Sequence, residues 1–367
     1  LARRTGLHPS TITRIVASLI EEGLLREGGE GHNELGRKPI VLSLVDDAVH
    51  AVGVAVESTF VAGVLVNLGA RVMDRIEVDF GPDTSQDAVL ENTYRVVNEL
   101  LNRAGERVTN PVGVGVAVHG MVDSTRGISL FAPAFRWRDL PLAALIEEHC
   151  GLPVRIENNA RAMALGEYWF GSGRGLQHLL AVKVGEAIGS GIILNSQLFA
   201  GAQFGAGEIG HTTVVSDGVL CNCGNYGCLE TEASIKAVLR KLRVILKGGI
   251  GRSLLELTGA DPDQMTFEHL VYATRCDHPL ARHVWEEAAS YLGLAIANAI
   301  NMLSPEKVLI GGDILPVIDY LLPSIREIVQ ARVLDIVKPA LRIEPVGLGA
   351  DSVTIGAATL VFRELLE

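Results

Sequence analysis

Three cysteines packed into one short stretch, Cys221, Cys223 and Cys228, with a histidine upstream at His211, restrict the fold more than any other feature of this chain. Gly224 and Gly227 let the backbone fold back so that the three sulfurs converge. His211 completes a tetrahedral Cys3His set, the ligand composition of a closed, structural Zn2+ site. A Gly-rich loop of reduced thiols without metal is the alternative at this point. Carboxylates stand at both ends, Glu208 before the histidine and Glu230 after the last cysteine. A knot that fixes two carboxylates beside a pocket points to polyol or sugar hydroxyls as the bound ligand.

The length, 367 residues, allows about two to three domains. A hydrophobic content of 48% with 20% charged residues is that of a globular chain. The net charge of −11 argues against an overall electropositive nucleic-acid binder, although a small DNA-binding domain on an acidic body is compatible with it. Cys150 and Cys276 lie apart from the cysteine loop in helix-like contexts, where buried thiols are expected. The cysteine usage implies a reduced, cytoplasmic protein. The apolar run from Tyr291 to Leu303 is broken by Asn298 and Asn301 and is too short to span a bilayer, and no signal peptide is read.

Residues 1–6 end a helix at Gly6, so the first helix of the motif that follows is expected to be missing. Pro9 and Ser10 open the next helix, with Ile12, Ile15, Val16, Leu19 and Ile20 facing one core. Its other face carries Ser10, Thr13, Arg14 and Ala17, with Thr11 beside them, at the end where a recognition helix touches base edges. Leu24 and Leu25 start a strand, residues 28–36 form a wing, and Ile40 to Leu44 form a returning strand. The segment resembles a winged helix-turn-helix. Residues 1–45 carry six Lys/Arg against five Asp/Glu, leaving −12 on the rest, so binding of a double-stranded operator rests on placement. Arg3, Arg4, Arg14, Arg37 and Lys38 are the expected phosphate or groove contacts.

Beyond Val49 the periodicity predicts a strand meander over residues 52–80, a helix over 86–104 and a buried strand over 112–118. A helix over 140–150, a strand over 154–157 and a helix over 160–170 follow, and a second set of strands begins at Leu179. A meander followed by alternating helices and strands, given twice, is the order of an α/β, duplicated actin-like (ribonuclease H-like, hexokinase-type) fold with a cleft between two lobes. The expected extents are 1–45 for the winged helix, 46–172 plus 351–367 for the first lobe, and 173–350 for the second lobe with the zinc loop.

Six stretches together resemble the ROK family, named for repressor, open reading frame and kinase. They are residues 113–120, Glu157-Asn158-Asn159-Ala160, residues 185–191, Gly207-Glu208-Ile209-Gly210-His211, the cysteine loop to Glu230, and residues 309–312. The resemblance covers essentially the whole chain. It implies that Gly120, Asn158, Asn159, Glu208, His211 and Glu230 line an effector site. Asn158 and Asn159 also suit the cap of the helix behind them. An Arg136-Trp137-Arg138 loop is a further candidate for the cleft wall, with a surface loop as the equal alternative.

The family holds sugar kinases without a DNA-binding domain and sugar-responsive repressors with one. In its kinases the base is the aspartate of an Asn-Asp pair; here the pair is Asn158-Asn159, and an amide cannot accept the proton. The first phosphate loop, Asp-x-Gly-Gly-Thr in the kinases, reads Ala55-Val56-Glu57-Ser58-Thr59, and Glu186 stands where they have a phosphate-facing threonine. Glu57 and Glu186 are expected to repel a polyanion. No catalytic residue is therefore assigned. The expectation is a repressor with an effector sugar or sugar phosphate, acting as a homodimer or homotetramer; the alternative is an ATP-dependent, glucokinase-like enzyme.

Overall fold

Two five-stranded sheets with the same strand arrangement carry the molecule. The computed structural model describes residues 1–30, 40–81, 83–105 and 111–366, and at residues 3, 4, 29 and 30 the backbone alone. The chain opens with helices α1 (Ala2–Thr5) and α2 (Pro9–Glu21), then an antiparallel pair, β1 (Leu25–Glu30) and β2 (Ile40–Leu44). Pro9 supplies the helical φ at the first position of α2, and the His8 ring accepts the Ser10 amide as its cap. Gly23, at φ 75°, turns the chain out of the helix.

The first sheet begins with the meander β3 (His50–Val56), β4 (Phe60–Asn67) and β5 (Val72–Asp79). Helix α3 (Gln86–Ala104) leads to β6 (Pro111–Val118), parallel to β3. A small sheet of β7 (Met121–Asp123), β8 (Ile128–Ala132) and β9 (Trp137–Leu140) precedes α4 (Leu142–Cys150) and β10 (Val154–Asn158), which joins β6 in parallel. Helix α5 (Asn159–Trp169) carries the chain to the second sheet. There β11 (Leu179–Val184), β12 (Ile188–Leu194) and β13 (Gln197–Leu198) repeat the meander. A helical block follows: α6 (Leu229–Ala233), α7 (Ile235–Lys247), α8 (Arg252–Thr258), α9 (Phe267–Arg275) and α10 (Pro279–Leu303). Then β14 (Lys307–Gly311) pairs in parallel with β11, and after α11 (Ile318–Arg332), β15 (Arg342–Pro345) pairs with β14. Helix α12 (Ser352–Leu366) returns to the first sheet. The orders β10-β6-β3-β4-β5 and β15-β14-β11-β12-β13 correspond strand for strand, so the duplication expected from the sequence is present.

The alternation in β3 shows how the layers form. Val52, Val54 and Val56 pack with Val89, Val96 and Leu100 of α3 on one side. The small residues between them let α12 lie against the other face. A Cβ at Gly53 would come within 1.9 Å of the Thr354 carbonyl oxygen, and one at Gly115 within 1.8 Å of the Ala357 oxygen. Such close approach tolerates only glycine. Helix α5 is buried from Asn159 to Glu167, because its residues contact Ala55 and Ala117 of one sheet and Leu179, Ala181 and Leu309 of the other. It is the shared wall between the lobes, and its N-terminus opens on the space between them.

Three expectations are corrected. The apolar face of α2 is not a core: Ile15 and Ile20 are exposed and the helix buries no residue, and Leu19 is the one of its apolar side chains that packs, half-buried, against Leu24 and the first-lobe cluster around Val49 and Phe362. Cys150 is half-buried and Cys276 exposed at the end of α9, so neither is a buried thiol. Trp137 is 2% exposed on β9, packed against Phe135, and belongs to the first-lobe core and not to a cleft-lining loop.

Candidate ligand cleft and metal centre

The candidate metal centre is built by turns. Gly227, at φ 63°, sits so close to the preceding strand-like segment that a Cβ would lie 1.6 Å from the Val215 oxygen. Bridges between Thr213 and Cys228 and between Leu220 and Tyr226 hold the loop closed. As a result the ligand atoms of His211, Cys221, Cys223 and Cys228 all lie within 4.8 Å of one another. The Cys223 and Cys228 sulfurs are 3.7 Å apart, and Cys221 Sγ is 3.6 Å from His211 Nδ1. Ligand bonds of about 2.3 Å to sulfur and 2.0–2.1 Å to nitrogen give tetrahedron edges of about 3.5–3.8 Å, so the donor set fits a metal ion. In the thiol form, burial and then the neighbouring Cys223 and Cys221 thiols push Cys228 up to about 12, so it binds a proton tightly in the absence of a cation.

His211 turns its other nitrogen, Nε2, toward Glu208, 3.9 Å away. Burial raises the Glu208 pKa, against the pull of His211 and Arg161, while Glu230 adds to the rise. The four side chains therefore share one neighbourhood. Glu230, in the first turn of α6, accepts the Ile188 amide at 3.1 Å, which ties it to the start of β12.

The N-terminus of α5 faces this group. Asn158 caps the helix, its Oδ1 accepting the amides of Ala160 and Arg161, and its Nδ2 donates to the Gly120 carbonyl at 2.9 Å. Capping thus fixes the Gly120 turn at the cleft. Asn159 is 8% exposed and donates through Nδ2 to Glu57 Oε2 at 3.1 Å. The same oxygen receives Lys183 Nζ at 3.0 Å. Glu57 follows β3 in the first lobe and Lys183 lies on β11 in the second, so the pair crosses the cleft. Burial pushes the Lys183 pKa down, but Glu57 and Asp313 outweigh it and hold the ammonium above its ordinary value. Across the same gap Ser58 donates to Glu186 at 2.9 Å.

Glu57 and Glu186 are therefore not the two bare charges expected from the sequence. Glu57 is compensated, and Lys183 is the cation that faces Glu57, Asp313 and Glu186 together. Sequence reasoning missed Lys183, Asp313 and Arg161. The lone lysine inside the apolar strand Leu-Leu-Ala-Val-Lys-Val was the available signal for the first. Arg161, buried in α5, pairs with Glu157 at 2.6 Å and donates to the carbonyls of Val122, Ala200 and Phe204, joining β7 to the loop that leads into Glu208. His119 stays neutral, its pKa brought down to about 4 by burial and then by Lys183, and its Nε2 is buried without a hydrogen-bond partner.

At the other end of the chain, Ser10, Thr13 and Arg14 are exposed along α2 and Thr11 is half-buried. The Ser10 hydroxyl sits 2.8 Å from His8 Nδ1, and that of Thr13 donates to the Pro9 carbonyl. Arg3 and Arg4 lie on α1 with undescribed side chains, and Arg37 and Lys38 fall outside the described residues.

Two lobes of an actin-like fold, joined across their interface by the Glu57–Lys183 and Ser58–Glu186 contacts, with a helix-turn-helix ahead, define a sugar-kinase-type scaffold joined to a DNA-binding module. The model of the ROK family matches residues 51–364, and that of the IclR helix-turn-helix domain matches residues 1–29. The chain belongs to the ROK family. It is 28% identical over 366 residues to a xylose repressor of Caldicellulosiruptor bescii, covering 100% of this chain and 91% of the relative. A solved ROK family transcriptional regulator, a homolog of the E. coli MLC protein, is 28% identical with a TM-score of 0.84, over 99% of this chain and 90% of that one. A ROK family glucokinase from Streptomyces griseus, solved with glucose and AMPPNP, is 30% identical with a TM-score of 0.77, over 86% of this chain and 99% of that one.

Proposed function

We propose that this chain is a sugar-responsive DNA-binding transcriptional repressor of carbohydrate-metabolism genes, whose cleft binds its effector without phosphorylating it. One observation carries the reading: Asn159 stands where the kinase base is needed, and its amide is spent on a Glu57 carboxylate already paired with Lys183. Phosphoryl transfer requires a group that takes up the proton of the attacking hydroxyl, and an amide does not.

Gly120, Asn158, Asn159, Glu208, His211 and Glu230 contact the sugar in this reading, mostly as acceptors for its hydroxyls. His211, Cys221, Cys223 and Cys228 hold a structural Zn2+ whose role is to set the angle of His211 and the position of Glu208. Arg3, Arg4, Ser10, Thr11, Thr13, Arg14, Arg37 and Lys38 contact DNA, with α2 in the major groove. The working form is a homodimer or homotetramer in the cytoplasm, reading a roughly palindromic operator. Its parts are residues 1–45, 46–172 with 351–367, and 173–350.

Coupling between cleft and DNA has a physical route. Leu24, just after α2, is buried with Val49, Ala51, Leu68 and Phe362, and its carbonyl accepts the Val45 amide. The winged helix is thereby docked on the first lobe, so closure of the second lobe over a sugar changes the angle between paired DNA-binding modules. The test is fluorescence anisotropy of a duplex enriched from a random pool, with and without a panel of sugars, alongside an ADP-release assay. Sugar-dependent change in DNA affinity without ADP release is expected. Sugar-dependent ADP production would overturn the reading.

A further inference from the structure

We infer that the effector of this cleft is an unphosphorylated sugar, because the protein's own Glu57–Lys183 ion pair fills the place a sugar phosphate would need. This rests on the sugar-binding reading above and deepens it.

Among the described residues the carboxylates of the cleft outnumber its cations, and the cations are already paired. On one flank stand Glu57, Glu186 and Asp313, and on the other Glu208 and Glu230. Sugar hydroxyls donate to carboxylates, whereas a phosphate at neutral pH offers acceptors and carries about −1.5 to −2 charges. Recognition of a phosphate would need free cations or a cluster of unpaired N–H donors. Neither buried cation is free. Lys183 is 6% exposed, bound to Glu57 at 3.0 Å and faced by Asp313 and Glu186 as well. Arg161 is 1% exposed and committed to Glu157 and three carbonyls. Among the described residues two histidines remain in this region: His119, which is neutral at physiological pH, and His211, whose Nδ1 faces the Cys221 sulfur at 3.6 Å.

A phosphate drawing Lys183 to itself would strip Glu57 of its partner while leaving it 3.1 Å from Asn159 with a side chain only 12% exposed. An unpaired, largely desolvated carboxylate beside an incoming dianion loses on both counts. A neutral sugar leaves the pair intact and meets Asn159 and the outer carboxylates with its hydroxyls. The pair also spans the two lobes, so an effector that preserves it closes the cleft along contacts already made.

The experiment is isothermal titration calorimetry on the full chain at pH 7.5 and fixed ionic strength. The probes are glucose and glucose 6-phosphate, N-acetylglucosamine and its 6-phosphate, and xylose. Within whichever pair binds, the phosphorylated member should be weaker by about a hundredfold, in keeping with like charges a few ångströms apart at a half-buried site. Glu57→Gln, which releases Lys183, should shrink that gap at least tenfold while metal content stays unchanged. A wild-type chain that binds the phosphorylated member as tightly as the free sugar, or tighter, overturns the inference and leaves the sugar-site reading standing. Binding of none of the five probes sinks the sugar-site reading, and this inference with it.

Discussion

Replacing Lys183 by methionine tests the interlobe pair most directly. Lys183 Nζ and Glu57 Oε2 are 3.0 Å apart, with side chains 8% and 12% exposed, so little solvent screens them. At an effective dielectric of 20 the gross attraction at this distance is about 5 kcal/mol, and desolvation of two ions takes back most of it. The net worth of the pair is therefore small, but breaking it is not. Lys183→Met leaves Glu57, its side chain 12% exposed, with only the Asn159 amide, and the expected loss of stability is about 3–5 kcal/mol. Removing both charges, in Glu57→Gln with Lys183→Met, should bring stability back to within about 1 kcal/mol of the original, because an uncharged pair of similar volume carries no desolvation cost. Urea unfolding followed by both far-ultraviolet circular dichroism and tryptophan fluorescence measures this, and coincident transitions license the free energies. The raised Lys183 pKa sets the pH window. Its contribution is complete below the ordinary lysine value of 10.5 and is lost as pH rises through the higher folded value. The difference between the native chain and Lys183→Met should be flat from about pH 7 to 10 and shrink above that. A single variant that loses less than about 1 kcal/mol, or a double variant as unstable as the single, would refute the claim that this pair is buried and mutually dependent.

Cys223→Ser should lower zinc content by elemental analysis and loosen the 207–230 stretch in hydrogen exchange, while sugar-free DNA affinity stays nearly intact. Glu208→Gln should keep the metal but weaken sugar binding by about 1 kcal/mol in calorimetry, as a charge-assisted hydrogen bond becomes a neutral one. Full sugar affinity in metal-free Cys223→Ser would show that the knot is a staple without influence on the cleft. Arg14→Ala should reduce affinity for the enriched duplex more than for random DNA, and an equal loss on both would assign Arg14 to phosphate alone. Asn159→Asp should not restore phosphoryl transfer, since Ala55 and Glu186 remain; ADP release by this variant with any hexose would contradict that.

Much of this protein is written locally. The β3 alternation of valine with alanine and glycine specifies both a strand and which face takes the larger helix contact, while the repeat at Leu179 is legible as a short, nearly continuous apolar run. Helix α3 begins and ends where its serine cap and apolar spacing place it. The Cys3His set is equally local, because most of its ligands lie on one loop whose glycines dictate the turn. Tertiary structure alone decided what the charges do. Glu57 and Lys183 are separated by 126 positions and meet because β3 and β11 are equivalent strands of facing lobes. Arg161 sits on a helix that reads as an ordinary buried segment, yet its guanidinium reaches carbonyls of both lobes. Periodicity reports which face of an element is covered, and α2 shows its limit, since an apolar stripe is buried only if another element lies over it. The partner of a buried charge depends on how two separately folded sheets are set against one another, and no local pattern in either carries that distance.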